Sequence, residues 1–161
     1  MIMRNTQQQK HDYSTHVINM IERIDPRFFV TFVFNDEFSK NKATDKLAGF
    51  FAHINRKIAG SRWQKKPMEK LLHGAIIFEH MNSNLHAHAL LNAPNYVSLN
   101  NLQRNAEPIW KKMAIAGNVL VEDAGNARIR SWYCVEERFN SNFDQQVIWT
   151  NMLGEVSLQI N

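Results

Sequence analysis

Val17, Ile18, Met20, Ile21 and Ile24 recur at the spacing of one helix face, after a polar, Gln-rich stretch over residues 1–11 that is expected to be mobile. Asp25-Pro26 closes that helix, because a residue ahead of proline is pushed out of the α region. The run Phe28-Phe29-Val30-Thr31-Phe32-Val33-Phe34-Asn35 then changes the period from helical to alternating, with aromatic and β-branched residues throughout. Phe28, Val30, Phe32 and Phe34 share a wholly apolar face, while Thr31 and Asn35 put polar groups on the other. The pattern predicts a central strand with one face for helices and one available for chemistry. Leu47, Phe50, Phe51, Ile54 and Ile58 return to helical spacing between Thr44 and about Trp63. Two strands, about His73 to His80 and Leu85 to Leu91, flank the turn-forming Met81-Asn82-Ser83-Asn84 and predict a hairpin. A helix over Leu99–Met113, a strand around Val119-Leu120-Val121 and a helical segment through Trp132 and Tyr133 complete the series.

These elements predict an α+β fold: a central antiparallel sheet of about five strands, helices packed on one face, and the other face open. The 161 residues suit a single domain over 1–161. A net charge of +4 and a pI near 9.3 suit a polyanionic partner without demanding one. The single cysteine, Cys134, excludes an intramolecular disulfide framework and fits a reducing compartment, so the expected location is cytoplasmic. No apolar run approaches the roughly 20 residues of a bilayer-spanning helix, and neither a membrane span nor a secretory leader is expected. Four basic residues, Arg62, Lys65, Lys66 and Lys70, lie with Trp63 in a predicted loop over Ser61–Lys70. That loop reads either as a solvated connector or as a phosphate contact.

The chemistry concentrates at the hairpin. His86 and His88 are two apart in a strand, so both imidazoles leave the same side of the sheet. If Asn82 and Ser83 are the two central turn residues, Glu79 faces His86 directly and His88 lies diagonally within reach. Glu79, His86 and His88 then form a three-ligand site for a divalent metal ion, and Phe78, Ala87 and Ala89 fall on the opposite, helix-packed face. The alternative is a polar sheet face with two histidines near a turn. His80 points the other way in this register and is left out, and His73 is only a remote candidate.

With these residues placed, the chain resembles the HUH endonucleases, especially the rolling-circle replication initiators of plasmids and single-stranded DNA viruses. Phe28 to Asn35 is similar to the first motif of that family, an aromatic strand ending in polar residues. Glu79 with Leu85-His86-Ala87-His88-Ala89-Leu90-Leu91 resembles the second, in which two histidines around a hydrophobe and an upstream acid hold the metal. Ser131-Trp132-Tyr133-Cys134-Val135-Glu136-Glu137 resembles the third, where a helix-borne tyrosine is the nucleophile and a lysine follows three residues later. Position 136 departs from the pattern, with Glu in place of Lys; Arg138 or Arg130 would have to supply the charge, or Glu136 and Glu137 would join the outer shell of the metal. Val147-Ile148-Trp149 also sits where related plasmid proteins carry an aromatic segment.

The resemblance implies a ferredoxin-like palm, a Mn or Mg ion, and site-specific nicking and rejoining of one DNA strand through a covalent 5′-phosphotyrosine that initiates rolling-circle replication. Tyr133 is the expected nucleophile, since Tyr13 and Tyr96 do not match the family order. One such tyrosine implies that rejoining uses a second subunit or a hydroxyl from elsewhere. The substrate implied is single-stranded or hairpin origin DNA, with Arg62, Trp63, Lys65, Lys66, Arg128 and Arg130 as candidate contacts. No G-x-x-x-x-G-K-[ST] loop occurs, so unwinding is expected from a separate helicase, with a separate polymerase for synthesis. Two rival expectations stand beside this one: a DNA module of the same fold that binds an origin or promoter without cutting, and a metal-binding α+β protein with no nucleic-acid role.

Overall fold

The computed structural model describes residues 3–80, 84–140 and 147–153, with side chains over 8–80, 84–135 and 147–153. In chain order they form α1 (Met3–Ile24), β1 (Phe28–Val33), α2 (Lys40–Ala59), β2 (His73–Glu79), β3 (His86–Asn92), α3 (Leu99–Met113), β4 (Asn118–Asp123), α4 (Ala127–Asn140) and β5 (Val147–Trp149). Short 3-10 turns at Trp63–Lys65, Met68–Lys70 and Thr150–Met152 fill the connections. The five strands form one antiparallel sheet in the order β4-β1-β3-β2-β5. This is the α+β architecture that the patterning predicts.

Local chemistry explains the boundaries. Ser39 and Ser98 cap α2 and α3, their side-chain oxygens accepting from the amides of Lys42 and Asn101. Helix α2 ends four residues before Trp63 because Gly60 takes φ 86, a conformation that glycine enters freely. Helix α1 ends where Asp25-Pro26 requires, and begins well ahead of the apolar stripe at Val17.

One face of the sheet carries the main core. Phe28, Val30, Phe32, Ile76, Phe78, Ala87, Ala89 and Leu91 pack there against Leu47, Phe50 and Ile54 of α2 and Leu102, Ala106 and Trp110 of α3. Strand β3 runs down the middle of the sheet, and Ala87 lies between Phe32 of β1 and Phe78 of β2. A small residue fits at that position because the two flanking rings already fill the layer. Trp110 is fully buried, with ring centroids 4.9 Å from Phe32 and 5.1 Å from Phe34, and its indole N–H donates to the Val33 carbonyl at 3.1 Å.

The layering corrects the expectation of helices on one face only. Helices α1 and α4 lie on the second face, where Val17, Ile18, Ile21, Cys134 and Val135 form a smaller core with Phe29, Ala75, Ile77 and Leu90. The physical reason is the composition of that face, which is divided along its length. Its half at Phe29, Ala75, Ile77 and Leu90 is apolar and has to be covered, whereas the half at Thr31, Glu79, His86 and His88 is polar. The doubled Phe28-Phe29 is the sequence mark of this division, since consecutive strand residues point to opposite faces.

Truncation at the centre of the main core is expected to be severe. Trp110→Ala should lower the unfolding free energy by about 3–5 kcal/mol, read from the denaturant midpoint at unchanged slope. A loss below about 1 kcal/mol would mean that the indole does not organise this layer.

Candidate metal centre

The β2–β3 hairpin sets Glu79 directly opposite His86, and His88 opposite Ile77 on one side and Thr31 of β1 on the other. The turn expected at 82 and 83 lies outside the described residues, but the register it was expected to produce is the one observed. His86 Nε2 and His88 Nε2 both approach the same carboxylate oxygen, Glu79 Oε2, at 3.1 Å and 3.0 Å. One ligand atom from each of the three residues lies within 4.8 Å of the others, so the cluster could hold a metal ion. Glu79 is 1% exposed and His88 8%, while His86 sits nearer the surface.

Two observations test whether these residues fit a cation. The second carboxylate oxygen, Glu79 Oε1, is buried and has no hydrogen-bond partner among the described residues, a costly state for a charged group. The second lies in the outer contacts of the histidines. His86 Nδ1 stands 3.0 Å from the Asn84 carbonyl, which can only accept, so Nδ1 carries the proton and a neutral His86 turns the lone pair of Nε2 toward Glu79. A lone pair facing a carboxylate at 3.1 Å needs a cation between them, either a proton or a metal. His88 Nδ1 is held 3.0 Å from the Thr31 hydroxyl. Both imidazoles thus have the outer-shell partner that orients a ligating histidine. The donor set of two nitrogens and one carboxylate fits a divalent ion.

Further support comes from stacked rings. Phe29 lies against the His88 ring at 5.1 Å and 16°, and the Arg130 guanidinium sits 4.5 Å above Phe29. Helix α4 thereby reaches the edge of the site through Arg130, which also lies 3.8 Å from Glu122. Tyr133 follows one turn later on the same flank of α4 and is 58% exposed. Among the described residues no hydrogen bond or ring contact joins it to Glu79, His86 or His88. Of the competing tyrosines, Tyr96 donates to the Ile58 carbonyl on the far side of the sheet, and Tyr13 is on α1.

The other candidates separate clearly. Arg128 pairs with Glu22 at 2.7 Å and reaches Asn19, tying α4 to α1. Arg62, Trp63, Lys65 and Lys66 occupy the connection from α2 to β2, which enters the sheet at His73. Glu79 is at the opposite end of that strand, about 20 Å away at the usual rise per residue. The side chains of Glu136, Glu137 and Arg138 lie outside the described residues. The contact of Thr31 with His88 has no mark in the local sequence, because it depends on β1 pairing with β3. Strand alternation likewise places His80 on the opposite face. His80 takes φ 52, which breaks the strand alternation, and its ring centre comes within 4.9 Å of that of His86.

Burial by itself would raise the Glu79 carboxyl, but hydrogen bonds from His86 and His88 and the charge of both imidazoles outweigh it and bring the group from 4.5 down to about 2. A depressed carboxyl contributes stability above its unfolded-state value and loses it as pH falls through the folded one. Metal-free protein should therefore lose of order 2 kcal/mol across that interval, a loss that Glu79→Gln should not show. Urea midpoints taken at several pH values between about 4.5 and about 2 check this. With ion present, Co2+ at about a hundred times its Kd should stabilise the fold by about 2.7 kcal/mol, and His88→Ala should remove the effect, as followed by calorimetry. Comparison of the chain with protein-family models, curated proteins and solved structures gives no match, and the site is read from its own geometry.

Proposed function

We propose that this protein nicks and rejoins single-stranded DNA in a metal-dependent reaction, with Tyr133 as nucleophile, and so initiates rolling-circle replication. The observation that carries the reading is the Glu79-His86-His88 trio, with Glu79 and His88 buried and Glu79 Oε1 unpartnered among the described residues, placed on the polar half of a sheet face whose other half is crossed by the helix bearing Arg130 and Tyr133. The order of the three motifs along the chain supplies the rest of the argument.

In this reading the hydroxyl of Tyr133 attacks a backbone phosphorus. A bond forms between phosphorus and Oη, and the bond from phosphorus to the 3′ oxygen breaks. The tyrosine loses its proton, the departing oxygen leaves as a 3′-hydroxyl, and the 5′-phosphate stays on the protein. The covalent link conserves the phosphodiester energy, so rejoining needs no ATP. A free tyrosine has a pKa near 10, so the phosphate must be activated by other groups. Glu79, His86 and His88 would hold a Mn or Mg ion, which supplies charge withdrawal from a non-bridging phosphate oxygen. Arg130, held above Phe29, offers a cation on the same flank of α4 as Tyr133 and can replace the lysine absent from position 136. Exposure of the Tyr133 ring suits a nucleophile that must be reached by a polymer, and a substrate bound there would be unstacked single strand or a hairpin origin.

A second reading is favoured by Glu136 and by the absence, among the described residues, of a hydrogen bond or ring contact between Tyr133 and the trio: an origin- or promoter-binding module that no longer cuts. One experiment separates the two. Labelled single-stranded oligonucleotides carrying candidate hairpin origins are incubated with the protein and Mn2+, and covalent adducts are read on denaturing gels. The proposal expects an adduct that disappears with chelator and falls by at least about a thousandfold in Tyr133→Phe, which removes the attacking oxygen. Tight binding with no adduct at any sequence would leave the module.

A further inference from the structure

The geometry points to His80 as a third imidazole of the metal centre, one that the alternation of the strand would place on the wrong face. His80 directly follows the ligand Glu79 and would be expected among the helix-packed side chains, alongside Phe78. Its backbone instead takes φ 52, a left-handed conformation that costs a non-glycine residue free energy and is found preferentially at functional sites. The result is a reversal of direction. The His80 ring centre lies 4.9 Å from that of His86, while the two ligand imidazoles, His86 and His88, are 5.2 Å apart. His80 therefore stands as close to one ligand ring as the other ligand does.

Its setting differs from theirs in a way that gives it a distinct role. Glu79 and His88 are buried and held by neighbours on both sides, whereas His80 is exposed and lies just past the end of β2. Its nitrogens are not among the three ligand atoms that converge within 4.8 Å, so to join an ion the His80 side chain has to rotate toward them. The complete set becomes three imidazole nitrogens and one carboxylate. Nitrogen-rich sites favour Zn2+ and Co2+, while Mg2+ and Mn2+ gain less from an added imidazole. His80 would thus set which ion the centre prefers, and being the exposed ligand it is the one that can be exchanged for an oxygen of an incoming molecule.

This inference rests on the metal reading of the trio and is independent of nicking. It is tested by titrating the full chain with Co2+, Zn2+ and Mn2+, using chelator competition for affinity and the visible spectrum of Co2+ for the number of nitrogen donors. His80→Asn is the appropriate variant, since asparagine tolerates the left-handed backbone and offers no imidazole. The expected result is a loss of about tenfold or more in Co2+ and Zn2+ affinity, a weaker and shifted Co2+ spectrum, and a change in Mn2+ affinity of less than about threefold. Equal Co2+ and Zn2+ affinities in the variant and the wild type would overturn the assignment. Proton spectra of the Co2+-loaded wild type test it without any substitution: three paramagnetically shifted imidazole N–H signals are expected, and two would overturn it. If the wild type binds none of these ions more tightly than His86→Ala does, the metal reading itself falls, a failure distinct from that of His80.

Discussion

Glu79 is a carboxylate withdrawn from water at the end of a strand, and an isolated charge in that position would neutralise or unfold its surroundings. It is retained because two imidazoles from the neighbouring strand converge on one of its oxygens. That convergence depends on register. A slip of one residue between β2 and β3 would send both histidines into the Phe-rich core and bring Ala87 opposite Glu79, so the burial of the charge and the packing of Phe78 against Ala87 are satisfied by the same pairing. The remaining constraints follow outward from it: Thr31 and Asn84 orient the imidazoles, and Phe29 stacks on His88.

The same face of the sheet serves two purposes because its composition changes along the strands. Where Phe29, Ala75, Ile77 and Leu90 are exposed to the second layer, α1 and α4 cover them. Where the residues are polar, the layer carries the trio. This division brings α4 across the sheet beside the site, held by Arg128 to α1 and by Arg130 above Phe29. A helix that is needed to bury the apolar half therefore also carries Arg130 to the edge of the polar half. Stability and the proposed chemistry depend on one packing arrangement.

The distribution of positive charge is resolved by topology rather than composition. The densest basic segment, at Arg62, Lys65 and Lys66, lies at the far end of β2 from Glu79. Arg130 stands close to the site although its sequence surroundings are unremarkable. If a nucleic acid is bound at the trio, Arg130 of α4 offers it a cation at the edge of the site, and the basic loop would be reached only by a strand extending along the sheet.

The alternation of Phe28 to Phe34, the hairpin bounded by Met81 to Asn84 and the spacing of Glu79, His86 and His88 were legible in the sequence, because strand side chains alternate with a strict period and a short hairpin leaves few registers. The main core and the Glu79-His86-His88 cluster follow from those local rules. What depended on the tertiary structure was everything that requires partners distant in sequence: α1 and α4 on the second face, Thr31 behind His88, Arg130 above Phe29, and the separation of the basic loop from the site. The reversal of His80 belongs with these, although it is local, since a single backbone torsion of φ 52 has no signature in residue type and overrides the alternation on which the sequence argument stood.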